Sequence, residues 1–248
     1  MFLPKKKLKK TPIDFDLKYE DVKINLHKRN KIYGWYIYAK KPTAKTIIYL
    51  HGTKGNLSTY LENASKLHNI GANILVFDYR GFGMSTGRES IENAIDDSQA
   101  VYDYLIEHKK TKPEDISLFG FSFGGAVALE LAMRRKVSAI VLESTFSDLN
   151  KISVKKCSIF IGPLVANELL TSDKTIKKIR VPIIVSYASN DQVIPTEHSM
   201  RLFKEANEPK YLFKIKDAEH QNIAKYITPE YLSLIKEVLI DGTLWFKT

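Results

Sequence analysis

The five residues Gly120-Phe121-Ser122-Phe123-Gly124 have the types and spacing for nucleophilic chemistry. They close an apolar run, Ile116 to Phe121, and open a stretch of small residues, so a strand, a sharp turn and a helix meet at Ser122. Such a turn strains the serine backbone and needs flanking positions almost free of side chain, which Gly120 and Gly124 supply. The helix N-terminus also brings exposed amides that favour developing negative charge. A serine hydroxyl is a weak nucleophile at neutral pH and needs a base, itself oriented by an acid. In this strand-turn-helix context the acid and then the base are expected after two later strands. Asp191 follows the run Ile183 to Ala188, and His220 follows Tyr211 to Ile215, so order and placement both fit. Asp148, which also follows a strand, and Glu219, beside the base, compete for the acid role. His27, His51, His68, His108 and His198 do not follow the last strand and read as surface or packing residues.

A tetrahedral intermediate carries negative charge on oxygen, and amides aimed at it contribute several kcal/mol, roughly 3 for a single donor. The amide of Phe123, directly after the serine, is one expected donor. Thr53 is the other, on the loop His51-Gly52-Thr53-Lys54-Gly55-Asn56 after the run Thr46 to Leu50. There Gly52 allows close backbone approach and His51 holds the loop. The glycines of Asp78-Tyr79-Arg80-Gly81-Phe82-Gly83 lack the lysine and spacing of a phosphate cradle. That loop reads as a tight border of the site, pinned by Asp78 and Arg80.

The elements that must position these groups follow from periodicity. Tyr19 to Asn25 and Lys31 to Ala39 nearly alternate and predict an antiparallel pair. Continuous apolar runs at Thr46 to Leu50, Ile74 to Phe77, Ile116 to Phe121, Ala139 to Leu142, Ile183 to Tyr187 and Tyr211 to Ile215 predict strands buried on both faces. Helical stripes lie between them, at Leu57 to Leu67, Ile91 to Leu105 and Gly124 to Arg135, with a last one at Leu232 to Leu239. Alternation of this kind needs right-handed crossovers and gives a doubly wound α/β sheet with its reactive loops at strand carboxyl ends. The domain is expected over 19–248, after a basic segment 1–18, with a small lid over about 147–180.

With 248 residues, 44% of them apolar, the chain can bury one core but not two full-sized ones. The lone Cys157 excludes an internal disulfide, and no Cys and His cluster has zinc spacing, so neither metal nor cofactor is expected. The net charge of +10 comes from 38 basic residues of which only 7 are Arg, spread along the chain without a basic helix or RNA-binding signature. Nucleic acid is therefore not an expected partner. One cluster, Lys5, Lys6, Lys7, Lys9 and Lys10, reads either as a solvated end or as a patch that meets an anionic membrane surface. No apolar stretch reaches the 20 or so residues of a membrane span. The expectation is a cytoplasmic or peripherally membrane-associated protein.

Taken together, His51-Gly52, Asp78-Tyr79-Arg80-Gly81-Phe82-Gly83, the Ser122 pentapeptide, Asp191 before Val193 and Pro195, and His220 resemble the alpha/beta-hydrolase superfamily over most of the chain. Phe2-Leu3-Pro4 with Thr11-Pro12, Tyr19-Glu20-Asp21-Val22 and Gly34-Trp35 resemble its serine-aminopeptidase-like branch, similar to membrane-tethered alpha/beta-hydrolase-domain proteins. The resemblance implies a mostly parallel, eight-stranded twisted sheet with helices on both faces, and leaves room for an anchor ahead of Met1. It implies a serine hydrolase of the carboxylesterase or acyl thioesterase type. Its substrate would be a small acyl ester, a lipid or an acylated protein. A peptidase or amidase using the same groups, and a non-catalytic binding protein on the same fold, are the alternatives. Members often carry two glycines before the histidine where this chain has Ala218-Glu219, and an acid after it where this chain has Gln221-Asn222.

Overall fold

The computed structural model describes residues 2–149 and 170–242; most of the expected lid, with Cys157, lies outside the described residues. The central strands are the continuous apolar runs, since a strand covered on both faces needs no alternation. In chain order the strands are β1 (Leu3–Pro4), β2 (Tyr19–Asn25), β3 (Lys31–Ile37), β4 (Thr46–Leu50), β5 (Lys54–Gly55), β6 (Asn73–Asp78), β7 (Ile116–Phe121), β8 (Ile140–Glu143), β9 (Ile183–Ala188) and β10 (Lys210–Ile215). Eight of them form one sheet in the order β10-β9-β8-β7-β4-β6-β3-β2, while β1 and β5 form a separate two-stranded ribbon. The six strands from β10 to β6 are parallel, and β3 and β2 add an antiparallel edge. β3 stops two residues short of the expected Ala39 because its partner β2 ends opposite Ile37, at Tyr19.

The helices are α1 (Leu61–Leu67), α2 (Ile91–Glu107), α3 (Phe123–Ala132), α4 (Ser172–Thr175), α5 (Thr196–Glu205) and α6 (Pro229–Lys236). Val101 and Leu105 of α2, Val127 and Leu131 of α3 and Leu202 of α5 bury against one sheet face. Leu61 and Leu67 of α1 and Tyr231 and Ile235 of α6 bury against the other. The stripe expected over Leu57 to Leu67 is split, because the Asn56 side chain accepts from the Ser58 amide and starts a 3₁₀ turn, Leu57–Thr59, ahead of α1. Between β6 and β7 the chain crosses from one side of β4 to the other. The loops after β4 and β7 therefore lie side by side at the switch point, where ligands bind in open α/β sheets.

The N-terminal segment differs from a solvated end. Leu3 N–H donates to Thr53 O and Lys5 N–H to Gly55 O, both at 2.8 Å. Phe2 meets the rings of Phe82 and Phe123 edge-on, at 5.9 and 5.3 Å between centroids. Only the lysine side chains of the cluster face outward.

Candidate active site

Ser122 has φ 55° and ψ −117°, the strained conformation that lifts its side chain off the end of β7. A side chain at either flanking glycine would collide with backbone: a Cβ on Gly120 would lie 2.4 Å from Gly125 Cα, and one on Gly124 would lie 1.9 Å from Leu50 O. Ser122 N–H donates to Glu143 O at 2.9 Å, which ties the turn to the end of β8.

The structure brings Ser122, Asp191 and His220 together. His220 Nε2 is 3.1 Å from Ser122 Oγ, and His220 Nδ1 is 2.7 Å from Asp191 Oδ2. Asp191 Oδ1 accepts the amides of Val193 and Ile194 at 2.8 and 2.7 Å, so the carboxylate is held at both oxygens. With Asp191 ionised, Nδ1 carries the imidazole proton and Nε2 is left to accept from the serine hydroxyl. The loops bearing Asp191 and His220 are laced by Ser189 N–H to Ile215 O and Asn190 N–H to Ala218 O, at 3.0 and 2.8 Å. The Asp191 side chain is 1% exposed and that of His220 10%, so the pair is shielded while the imidazole still reaches the cavity. Of the competing acids, Glu219 is exposed and Asp148 is buried on the loop after β8.

Thr53 and Phe123 line the same cavity as Ser122 and His220, a space of about 450 Å³. Phe123 opens α3, so its N–H has no partner within the helix. The Gly52–Thr53 peptide is oriented from behind: Gly52 O lies 2.7 Å from His51 Nδ1, which must be the protonated nitrogen because a carbonyl can only accept. In a trans peptide the Thr53 N–H points the opposite way from that carbonyl. His51 is fully buried, stacked on Tyr60 at 5.2 Å, with Nε2 3.5 Å from Asp78 Oδ1. Burial pushes the Asp78 carboxyl above its ordinary range, against the opposing pull of His51 and the Leu57 amide. Phe121, Phe146, Leu149, Val193, Ile194 and Ile223 form most of the apolar wall.

Sequence reasoning missed three supports. Asp97 on α2 receives Arg80 through both N–H at 2.7 Å and Nε at 2.6 Å, and burial pushes its carboxyl up to about 6 although Arg80 opposes this. Its signal was ambiguous, because Asp96 beside it is equally acidic and stays half exposed or more. Tyr60 Oη donates to Lys54 O at 2.8 Å and braces the loop after β4. Glu143 lies fully buried behind Ser122, its Oε1 accepting from Tyr231 Oη at 3.1 Å.

Residues 41–175 match the family model described as serine aminopeptidase, S33. The uncharacterised protein YfhR of Escherichia coli is 32% identical over 209 residues, covering 81% of this chain and 73% of YfhR. Protein bem46 of Schizosaccharomyces pombe is 28% identical over 202 residues, covering 78% of this chain and 67% of bem46. Among solved structures, the Pyrococcus furiosus esterase Pf2001 superposes with a TM-score of 0.79 at 24% identity, over 96% of this chain and 98% of its own.

Proposed function

Because this chain belongs to the serine aminopeptidase S33 family of α/β-hydrolases, we propose that it is a serine hydrolase that cleaves carboxylic esters or thioesters through an acyl-enzyme on Ser122. One observation carries the reading: the unbroken chain from Asp191 through His220 to Ser122, at 2.7 and 3.1 Å, at the edge of a cavity also lined by Thr53 and Phe123. Ser122 Oγ adds to the substrate carbonyl carbon while its proton passes to His220 Nε2. The oxyanion that forms is met by the Thr53 and Phe123 amides. Asp191 holds the imidazole in the accepting tautomer and stabilises the imidazolium. His220 then gives the proton to the departing alcohol or thiol, leaving an acyl ester on Ser122. Water repeats the sequence, His220 taking its proton and returning one to Ser122 as the carboxylic acid leaves.

The apolar wall suits a hydrocarbon acyl group, whose burial there is favourable, and among the described lining residues Glu62 is the one carboxylate, accompanied by Lys54 and Lys225, which disfavour a cationic substrate. The esterase Pf2001, which shares the fold, is in keeping with this choice. The exposed side chains of Lys5, Lys6, Lys7, Lys9 and Lys10, beside a cavity that Leu3 helps to line, would let the protein take a lipid or acylated-protein substrate at an anionic membrane surface.

A fluorophosphonate probe and a panel of p-nitrophenyl acyl esters beside aminoacyl amides test the reading. Wild type should label and turn over the esters, and Ser122→Ala should do neither. Persistent labelling of Ser122→Ala refutes the nucleophile, and preference for the amides refutes the ester assignment. A wild type that neither labels nor turns over any ester or amide favours the non-catalytic binding protein.

A further inference from the structure

We propose that the N-terminal strap, residues 2–10, is a working part of the active site that positions the Thr53 amide. The proposal rests on the oxyanion role given to Thr53 above. Four consecutive carbonyls of the loop after β4 are each taken by a different donor. Gly52 O faces His51 Nδ1 at 2.7 Å, Thr53 O accepts Leu3 N–H at 2.8 Å, Lys54 O accepts Tyr60 Oη at 2.8 Å, and Gly55 O accepts Lys5 N–H at 2.8 Å. A residue has only two soft backbone dihedrals, between its two flanking peptide planes. At Thr53 the preceding plane is pinned by His51 and the following plane by Leu3, so the strap supplies half of what orients this residue.

The strap is itself anchored along its length. Lys5 O accepts Gly83 N–H at 3.1 Å, the Asn56 amide nitrogen donates to both Lys5 O and Lys7 O at 2.9 Å, and Lys9 N–H donates to Ser58 Oγ at 3.0 Å. Phe2 also packs edge-on against Phe123, the residue with the other expected donor amide. The strap therefore touches both halves of the oxyanion site with backbone and ring, while the lysine side chains and much of Leu3 stay exposed. Leu3 adds a side chain to the cavity wall.

Leu3→Pro deletes the N–H that holds Thr53 O and keeps an apolar ring, whereas Leu3→Ala keeps the N–H and deletes the side chain. On p-nitrophenyl butyrate, Leu3→Pro should lose roughly five- to tenfold in kcat, the factor for one backbone hydrogen bond, with KM near wild type. Leu3→Ala should keep kcat and raise KM. Amide hydrogen exchange over residues 52–57 should quicken in Leu3→Pro and not in Leu3→Ala. A merely structural strap would lower thermal stability in both variants without dividing kcat from KM. Wild-type kcat in Leu3→Pro overturns the proposal. If wild type hydrolyses no ester, the ester reading fails by itself and exchange decides alone: unchanged exchange over 52–57 overturns the strap's positioning role, and faster exchange confined to Leu3→Pro supports it.

Discussion

Replacing Glu143 by Gln should stabilise the protein more as pH rises. Glu143 is fully buried at the end of β8, where burial pushes its carboxyl from the ordinary 4.5 up to about 8 even though Tyr231 Oη donates to it. A carboxyl raised in this way favours folding fully below about 4.5, where folded and unfolded chains both hold the proton. Between about 4.5 and 8 the unfolded chain releases it first, so stability falls as pH rises, and no further loss follows above the folded value. At 1.36 kcal/mol per tenfold change in proton affinity, the part of that window between pH 5 and pH 8 amounts to roughly 3 kcal/mol. Glutamine has nearly the same shape and no charge to bury; its oxygen can accept from Tyr231 while a flipped Asn63 amide, which donates to Oε2 of the native residue, offers its own oxygen to the glutamine NH2, and any fixed cost of this exchange is the same at every pH. Urea unfolding of wild type and Glu143→Gln at pH 5, 6, 7 and 8 should therefore give two stability curves that diverge upward in pH by about that amount, with other titrating groups cancelling in the difference. A gap that is the same at pH 5 and pH 8 would refute the assignment of a neutral buried carboxyl. Ester turnover need not fall in the variant, because the Ser122 amide is held by the Glu143 backbone carbonyl rather than by its side chain.

Asp191→Asn should leave the fold intact and lower kcat by about 10³- to 10⁴-fold, since an amide in place of the carboxylate favours the wrong imidazole tautomer; turnover within tenfold of wild type would remove Asp191 from the reaction. Gly124→Ala should cost roughly 3 kcal/mol in chemical denaturation, because its Cβ would lie 1.9 Å from Leu50 O and neither backbone can yield cheaply. Unchanged stability would contradict the close packing of α3 on β4. Changing Lys5, Lys6, Lys7, Lys9 and Lys10 together to Gln should weaken sedimentation with phosphatidylserine vesicles by about 1 kcal/mol per lysine at low salt, and the binding itself should fade as salt is raised. Equal binding of wild type to neutral vesicles would exclude an electrostatic attachment.

What could be read from the sequence divides along a physical line. A strand covered on both faces carries its own signature in consecutive residues, so the central strands, their mostly parallel pairing and the loops at their ends were legible, while their order across the sheet was not. The turn at Ser122 was legible for the same reason, since Gly120, Ser122 and Gly124 must each satisfy a steric demand made by immediate neighbours. Asp191 and His220 could be placed near Ser122 from the order of Ser, Asp and His and the strands they follow, but strand counting left Asp148, which also follows a strand, in competition; the bonds that lace their loops are mostly backbone bonds, joined by Asp217 N–H to Ser189 Oγ at 2.8 Å. Glu143 was not legible. A charged residue at the end of an apolar run reads as the point where a strand meets water, and its partners come from far along the chain, the Asn63 amide of α1, 80 residues earlier, and the Tyr231 hydroxyl of α6, 88 residues later. The strap is the clearest case. Two residues of strand have no measurable period, and five lysines around them point to solvent. Yet β1 finds its partner 51 residues away, and the bonds it makes use only backbone N–H and C=O. Any sequence with an extended backbone and an anchoring aromatic could make them, so the side chains carry almost no record of the contact. A segment can therefore be polar in sequence and integral in structure, which is why charge at Lys5 to Lys10 says what the strap shows to solvent and nothing of what it holds.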